Sequence, residues 1–157
     1  MGNRELSSGT LFANRFEIER AAGSGGMGTV YRARDHYRGE RVALKLLHSL
    51  DGTGADAERF IREAELLAEL RHEAIVAYIT HGQTPQGQRF LAMEWLDGDD
   101  LAQRLAQGPL RLADALVVIR RAAAALAAAH GRGIVHRDIK PSNLFLPAGS
   151  LAACKLL

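Results

Sequence analysis

The stretch HRDIKPSN at residues 136–143 places an acid, a lysine and an amide within one short loop. An alanine-rich segment, residues 112–130, precedes this loop and is followed by Gly131 and Gly133. Glycine is typical just past the end of a helix, so a helix is predicted over 112–130. Residues 144–146, with the sequence LFL, have the apolar character of a short strand. The sequence therefore predicts a helix–loop–strand unit whose loop carries the three polar side chains.

Far upstream, GSGGMG at residues 23–28 matches the pattern G-x-G-x-x-G. Dinucleotide-binding turns and phosphate-covering loops both use this pattern, because a backbone without Cβ atoms can approach phosphate oxygens closely. A glycine-rich hairpin with a purely structural role also fits. In a dinucleotide-binding turn the third glycine opens a helix, whereas here it opens TVYRA at 29–33, which alternates and is rich in β-branched and aromatic residues. Strand, loop and strand is the predicted order.

The remaining pattern predicts a small sheet followed by a helical region. Strands are predicted at 16–22, 29–34, 41–47, 75–81 and 89–95. Glycine and proline turns between them are typical of antiparallel connections. Helices are predicted at 56–70 and 99–107, in addition to 112–130. The change of character near residues 96–98 indicates a boundary between two regions.

One acid and one lysine stand at positions where an unpaired charge would be costly. On the predicted helix 56–70, Glu63 shares the apolar stripe of Phe60, Ala64, Leu67 and Leu70. Lys45 ends the run VALK on the third predicted strand. Because their charges are opposite, Lys45 and Glu63 are predicted to form an ion pair inside the sheet region. The alternatives are an ion pair of structural importance only and a lysine that reaches solvent from a strand edge.

The lysines are few. Of 20 Lys and Arg residues, only Lys45, Lys140 and Lys155 are lysines. A compact ammonium suits phosphate as a point charge where the planar guanidinium would not fit. Lys45 and Lys140 are therefore candidate phosphate ligands.

Composition limits the class of protein. With 47% hydrophobic and 24% charged residues and a net charge of +2, the 157-residue chain has the mixture of a soluble globular protein, and no nucleic-acid partner is expected. The longest apolar run, residues 122–129, is too short to cross a membrane, and the first ten residues lack a secretory core. We expect no membrane segment and a cytoplasmic location. A single cysteine, Cys154, excludes an internal disulfide and a thiolate metal cage.

The order of glycine loop, lysine, acid and HRDIKPSN resembles the protein kinase family. GSGGMGTVYRARD at 23–35 and the loop at 136–143 look most like bacterial serine/threonine kinases. The resemblance implies an α+β, protein-kinase-like fold, with a five-stranded antiparallel N-lobe, one N-lobe helix, and the first helices and catalytic loop of a helical C-lobe. It implies an N-terminal extension at 1–15, a nucleotide-binding N-lobe at 16–95, and a hinge with part of the C-lobe at 96–157.

The resemblance also implies ATP and Mg²⁺ as cofactors and assigns a nucleotide site. Lys45 would hold the α- and β-phosphates, Glu63 would orient Lys45, and Met93 would be the gatekeeper. Backbone groups of Glu94 and Leu96 would bond the adenine edge. The implied nucleotide-binding residues are Ala22, Gly23, Ser24, Gly25, Gly26, Met27, Gly28, Thr29, Val30, Ala43, Lys45, Met93, Glu94, Leu96, Asp100 and Phe145, of which Val30 and Ala43 would roof the base and Asp100 would reach the ribose.

For the chemistry, the resemblance implies that Asp138 accepts the proton of a protein serine or threonine hydroxyl. Lys140 would neutralise the γ-phosphate, and its place two residues after Asp138 is similar to the serine/threonine form of the loop. Asn143 would bind magnesium. His136 is expected to shape the loop rather than act as an acid or base.

The sequence departs from the family pattern in two places. Ala22 stands where a larger aliphatic residue usually roofs the adenine. The chain ends at CKLL, residues 154–157, just where the family continues into Asp-Phe-Gly, so residues 1–157 are expected to be inactive and poorly soluble alone. The alternative functions are a non-catalytic ATP-binding or interaction fragment and, less consistent with the strand after Gly28, a Rossmann oxidoreductase.

Overall fold

The structure is a computed structural model that describes residues 6–25, 28–47, 64–65 and 67–157. Two compact units divide the chain. The first comprises Met1–Ala68 and Tyr78–Trp95, and the second comprises Glu69–Ala77 and Leu96–Leu157. Each unit has its own apolar core, and each is described by itself.

An antiparallel sheet forms the first unit, and its strand order is β1-β2-β3-β4-β6-β5 among the described residues. The strands are β1 (Leu11–Phe12), β2 (Phe16–Gly25), β3 (Gly28–Asp35), β4 (Glu40–Leu47), β5 (Tyr78–Gln83) and β6 (Arg89–Glu94). Alternate residues of β2, β3 and β4 point into one core, which explains the period of two in the sequence. Phe16, Ile18, Tyr31, Val42 and Leu44 are all buried there.

The predicted α+β arrangement and four of the five predicted strands are confirmed. The strand predicted at 75–81 begins only at Tyr78, and Ile75 instead forms an isolated parallel bridge with Leu156 in the second unit. The predicted five-stranded sheet also gains a sixth strand, β1, inside the predicted extension at 1–15. A two-residue strand has too few residues for a periodic pattern. Its Phe12 packs edge-on against Phe90, with ring centroids 5.3 Å apart.

A buried ion pair joins the turn after β1 to the end of β3. Arg15 donates from Nε and Nη2 to the two carboxylate oxygens of Asp35 at 2.9 and 2.7 Å. Asp35 has no exposed area, and 21% of the Arg15 side chain is exposed. The backbone amide of Tyr37 donates to the same carboxylate at 3.0 Å. The Arg15 contact, which outweighs the opposing effect of burial, holds the pKa of Asp35 below its ordinary value.

Replacing Arg15 by alanine should therefore destabilise the sheet by about 2 kcal/mol, because hydrogen bonds to a charged group are lost and a carboxylate stays buried. Hydrogen exchange of the β2 and β3 amides in the full natural chain measures this loss. Since the pKa of Asp35 is lowered on folding, the pair stabilises the protein above the ordinary carboxyl pKa of about 3.9 and ceases to do so as the pH falls through the lower folded pKa.

The control for this prediction is Arg38→Ala, which removes the same charge from an exposed pair with Glu40 on the neighbouring turn. Exposed pairs contribute about 0–1 kcal/mol. Equal protection in the Arg15 and Arg38 variants would refute a structural role for the buried pair.

The second unit contains two helices, a three-stranded sheet and a short 3₁₀ helix. The elements are β7 (Gly98–Asp100), the short helix (Leu101–Ala106), the long helix (Leu112–His130), the 3₁₀ helix (Pro141–Asn143), β8 (Leu144–Pro147) and β9 (Lys155–Leu156). Alanine-rich composition favours the long helix, and Asp114 in its first turn and His130 in its last complement the helix dipole. Its bounds are those predicted.

The other two helix predictions have different outcomes. The helix predicted at 99–107 is Leu101–Ala106, since Asp100 caps it by accepting a hydrogen bond from the Gln103 amide at 2.8 Å. Of the helix predicted at 56–70, residues 64–65 and 67–69 are helical and Leu70 is not. The rest of it, with Phe60 and Glu63, lies outside the described residues. Within the described part of the chain, every helix is too short or too polar to span a membrane.

Candidate active site

The loop at 136–143 brings together the three polar side chains that its sequence predicted. The Lys140 ammonium lies 2.8 Å from Asp138 Oδ2. The Asn143 amide nitrogen donates to Asp138 Oδ2 at 3.0 Å and to the Asp138 backbone carbonyl at 2.7 Å. About half of each charged side chain is exposed, 48% for Asp138 and 51% for Lys140. The carboxylate is therefore open to a substrate and oriented by two neighbours.

These contacts also set the charge of Asp138. The hydrogen bond from Lys140, followed by that from Asn143, lowers the pKa of the Asp138 carboxyl. Both donors favour the ionised form, so the group is a carboxylate at neutral pH. An ionised, exposed carboxylate can accept a proton from a hydroxyl placed beside it.

His136 holds the start of the loop through both ring nitrogens. Its Nε2 donates to the carbonyl of Leu157 at 2.9 Å, and its Nδ1 accepts from the Asp138 amide at 3.3 Å. The next residue, Arg137, has a φ of 63°, which a residue with a side chain rarely adopts. Strain of this kind persists where the surroundings fix the backbone. The contacts confirm that His136 shapes the loop, whereas its Leu157 partner is a backbone group that no side-chain motif reveals.

The far end of the loop is fixed by the 3₁₀ helix and β8. The backbone N–H of Asn143 donates to the backbone carbonyl of Lys140 at 2.9 Å, and the backbone carbonyl of Asn143 accepts from the backbone N–H of Leu157 at 3.0 Å. Leu144 and Leu146, which follow on β8, are buried in the core of the second unit. The loop is thus anchored on both sides, and its polar side chains remain outside the core.

The glycine loop connects β2 and β3, and its glycines differ in the space that a side chain would have. Gly25 pairs with Gly28, and the hydroxyls of Ser24 and Thr29 lie 3.2 Å apart across the hairpin. Gly28 has a φ of 155°, and a Cβ there would meet the Leu46 carbonyl oxygen at 2.2 Å. A Cβ at Gly25 would meet nothing within 4 Å, and the same is true of Gly23. Packing requires glycine at position 28 but not at the two open positions, which leaves their glycines available for close approach by a ligand. Gly26 and Met27 lie outside the described residues.

This difference makes opposite predictions for two alanine variants. Gly28→Ala should destabilise the sheet by about 2 kcal/mol, because a methyl group cannot fit beside the β4 backbone. Gly25→Ala should leave stability unchanged and weaken ATP binding about tenfold, since an extra methyl at a close contact costs about 1–3 kcal/mol. Hydrogen exchange and calorimetry on the full natural chain check the two halves. Wild-type ATP affinity in the Gly25 variant would leave the glycine there without a role in nucleotide binding.

Four predicted nucleotide-binding residues share one face of the sheet. Val30 pairs with Lys45 across β3 and β4, and Ala43 pairs with Met93 across β4 and β6. All four alternate with buried core residues, so their side chains lie on the opposite face. Burial lowers the pKa of Lys45. Among the described residues Lys45 has no ion-pair partner, and its predicted partner Glu63 lies outside them.

The other predicted residues fall in both units. Ala22 is exposed on β2 and Glu94 ends β6 in the first unit. Leu96, Asp100 and Phe145 belong to the second unit, where Asp100 pairs with Phe145 between β7 and β8. The Asp100 carboxylate is engaged in capping the short helix.

The described side chains also bear on metal binding. No group of three or more histidine, cysteine, aspartate or glutamate residues is clustered among them. In the loop, the Asn143 amide nitrogen is turned toward Asp138, which leaves its Oδ1 without a hydrogen bond within the described structure. Amide and carboxylate oxygens are the ligands that Mg²⁺ prefers. The free Oδ1 of Asn143 therefore suits a hard cation better than zinc.

Sequence and structure comparisons agree with this architecture. The protein kinase domain family matches residues 16–156, and the chain belongs to that family. Serine/threonine-protein kinase PknJ of Mycobacterium tuberculosis is 43% identical over 143 residues, which cover 90% of this chain and 24% of the relative. Serine/threonine-protein kinase pkn2 of Myxococcus xanthus is 41% identical over 133 residues, which cover 84% of this chain and 16% of the relative.

A solved structure gives the same result for the fold. The PknI kinase domain of Mycobacterium tuberculosis superposes with a TM-score of 0.83 at 32% identity, over 97% of this chain and 61% of that chain. The resemblance to bacterial eukaryotic-like serine/threonine kinases and the kinase-like fold are thus confirmed. The chain spans about a quarter or less of the two bacterial relatives named above.

Proposed function

We propose that this protein is a serine/threonine kinase that transfers the γ-phosphate of ATP to a hydroxyl of a protein substrate. The observation that carries the proposal is the arrangement of Asp138, Lys140 and Asn143 in one anchored loop. Lys140 Nζ and Asn143 Nδ2 lie 2.8 and 3.0 Å from Asp138 Oδ2. A binding module has no need of a carboxylate that is exposed, ionised and oriented by two neighbours. Phosphoryl transfer does, because it depends on positioning and charge neutralisation.

In this mechanism Asp138 Oδ2 accepts the hydroxyl proton of the serine or threonine as the hydroxyl oxygen attacks the γ-phosphorus of ATP, and the bond from that phosphorus to the β-phosphate oxygen breaks to release ADP. The Lys140 ammonium would move from the Asp138 carboxylate to the oxygens of the transferred phosphate. There its compact positive charge would offset the negative charge of the phosphate. Asn143 keeps its hydrogen bond to the Asp138 backbone and so preserves the orientation of the base. Asp138 thus accepts the proton, Lys140 neutralises the phosphate charge, and Asn143 positions the base.

The sheet face of Val30, Ala43, Lys45 and Met93 is proposed to bind the nucleotide. Val30 and Ala43 offer an apolar surface for the adenine base, and Lys45 an ammonium for the α- and β-phosphates. Burial lowers the pKa of Lys45, because the surroundings stabilise its charge poorly, and a phosphate beside it would restore that stability. The open backbone at Gly23 and Gly25 would lie against the phosphates.

Magnesium is proposed as the metal. Asn143 Oδ1 would hold it, because this oxygen has no described hydrogen-bond partner and its amide nitrogen is already oriented by Asp138. When bound, the ion neutralises charge on the phosphate oxygens.

The finer assignments also belong to the proposal. Lysine two residues after the base favours serine or threonine over tyrosine as acceptor. We place the kinase domain in the cytoplasm, where ATP is available. We also propose that a polypeptide restricted to residues 1–157 has no measurable turnover, since Asn143 by itself supplies too little of a magnesium site; robust phosphate transfer by that polypeptide would contradict this.

A non-catalytic ATP-binding role is the alternative, and two measurements on the full natural chain separate the possibilities. Calorimetry with ATP and magnesium should reveal binding, and incubation with γ-labelled ATP should move label onto protein. Binding without transfer would favour the non-catalytic role.

A further inference from the structure

Three residues of the first unit form a cluster that we call the tryptophan clamp: Arg20, Arg32 and Trp95. The guanidinium carbons of Arg20 and Arg32 lie 5.5 and 5.8 Å from the centroid of the Trp95 ring. Both distances fall within the range of a cation–π contact. The clamp therefore ties the residue that follows β6 to strands β2 and β3.

The clamp lies on the same face of the sheet as the proposed nucleotide site. Arg32 follows Val30 by two residues on β3 and pairs with Ala43 on β4. Trp95 follows Met93 by two residues, and Met93 is the other neighbour of Ala43. Lys45, which is proposed to bind the phosphates, lies two residues beyond Ala43 on β4 and pairs with Val30 rather than with a clamp residue. The clamp therefore adjoins the Ala43 end of this face, where the base is proposed to lie, and not the Lys45 end that faces the phosphates.

A carboxylate keeps Arg32 in place. Glu19 Oε2 lies 2.5 Å from Arg32 Nε, without the geometry of a directed hydrogen bond, and Glu19 Oε1 accepts from Arg41 Nε at 3.2 Å. Partial burial opposes ionisation of Glu19, but Arg41 and Arg32 together lower its pKa. Glu19 is thus charged at neutral pH and holds the guanidinium that covers Trp95.

We propose that the tryptophan clamp positions the base end of the nucleotide site, with Arg20 and Arg32 as positioning residues that act through Trp95. This inference rests on the proposed function. By holding the ring, the two arginines fix the main chain beside Glu94, whose backbone would bond the adenine edge as the kinase resemblance implies. Replacing either arginine should therefore weaken the binding of the adenine base and leave the contacts with the phosphates unchanged.

The test compares adenosine with ATP in the full natural chain. Arg32→Ala and Trp95→Ala should each weaken the binding of both ligands by the same factor, about fivefold, the size of one to two cation–π contacts. The KM for ATP should rise by that factor while kcat stays unchanged. Arg32→Lys and Trp95→Phe retain a cation and a ring, and should recover most of the affinity. Arg34→Ala is the control, because it removes an arginine from the same face that has no described contact with Trp95.

The outcomes separate the clamp from the proposed function. Wild-type adenosine affinity in Arg32→Ala and Trp95→Ala, a loss for ATP alone, or failure of the lysine and phenylalanine variants to recover affinity would each overturn the clamp. A wild-type protein that binds neither adenosine nor ATP would overturn the proposed function and the clamp together. An equal loss for both ligands with recovery by the conservative variants supports the clamp.

Discussion

Asp138→Asn should lower the rate of phosphate transfer by about 10²–10⁴, the range for a positioned general base. Asparagine keeps the size of the side chain and can still contact Lys140 and Asn143, so the loop should hold its shape. What it loses is the capacity to accept a proton. The rate under saturating ATP and protein substrate, measured in the full natural chain, gives the result directly, and ATP affinity should stay within about twofold because the base end and phosphate ligands are untouched.

The matched control is Asp114→Asn, the same chemical change in the first turn of the long helix. It should leave the rate unaltered and cost at most about 1 kcal/mol of stability, the usual size of a helix-dipole contribution. Full activity of Asp138→Asn would show that the loop carboxylate is not the catalytic base.

The pH dependence follows from the same contacts. Lys140 and then Asn143 lower the pKa of Asp138, so the carboxylate stays ionised until the pH falls below the ordinary aspartate value of about 3.9. Asp138 should therefore add no acidic limb to the rate profile between pH 5 and pH 8.

Lys45→Met should weaken ATP binding about 100-fold, the upper range for losing a charge-assisted contact with phosphate. Methionine keeps the length and apolar character of the side chain, so the half-buried position on β4 should tolerate it. Adenosine, which has no phosphate, should bind both proteins equally. Calorimetry with the two ligands measures both affinities.

Lys155→Met serves as the control for Lys45→Met, because it removes a lysine from β9 in the second unit. Its ATP affinity should match that of the wild type. Equal ATP affinity of the Lys45 variant and the wild type would mean that Lys45 is not a phosphate ligand.

Much of the sheet was predictable because its strands follow a simple rule. One buried face and one open face give β2, β3 and β4 a period of two, and the sequence carries that period clearly. The strand predicted at 75–81 was wrong at its start for a different reason. Ile75 and Val76 are apolar like strand residues, but they interact with Leu156, which lies 81 and 80 positions later in the chain. Ile75 forms a parallel bridge with Leu156, and the Val76 amide donates to the Leu156 carbonyl. Local pattern cannot reveal such a partner.

The candidate site also has one part that the local sequence predicts and another that it does not. Asp138, Lys140 and Asn143 are close in sequence, so a short loop brings them together and the motif suffices. The tryptophan clamp depends instead on the register in which β2 pairs with β3. That register shifts between Ile18 and Arg20, and a periodic sequence pattern does not reveal such a shift. The pairing of Lys45 with Glu63 remains a prediction, since Glu63 lies outside the described residues.

The most direct test of the central claim is transfer of label from γ-labelled ATP in the full natural chain, followed by identification of the labelled amino acid. We predict label on serine or threonine with magnesium present, and a rate lower by about 10²–10⁴ in Asp138→Asn. Nucleotide binding without any labelled serine or threonine, or the same label in wild type and variant, would contradict the assignment of this site as a protein serine/threonine kinase.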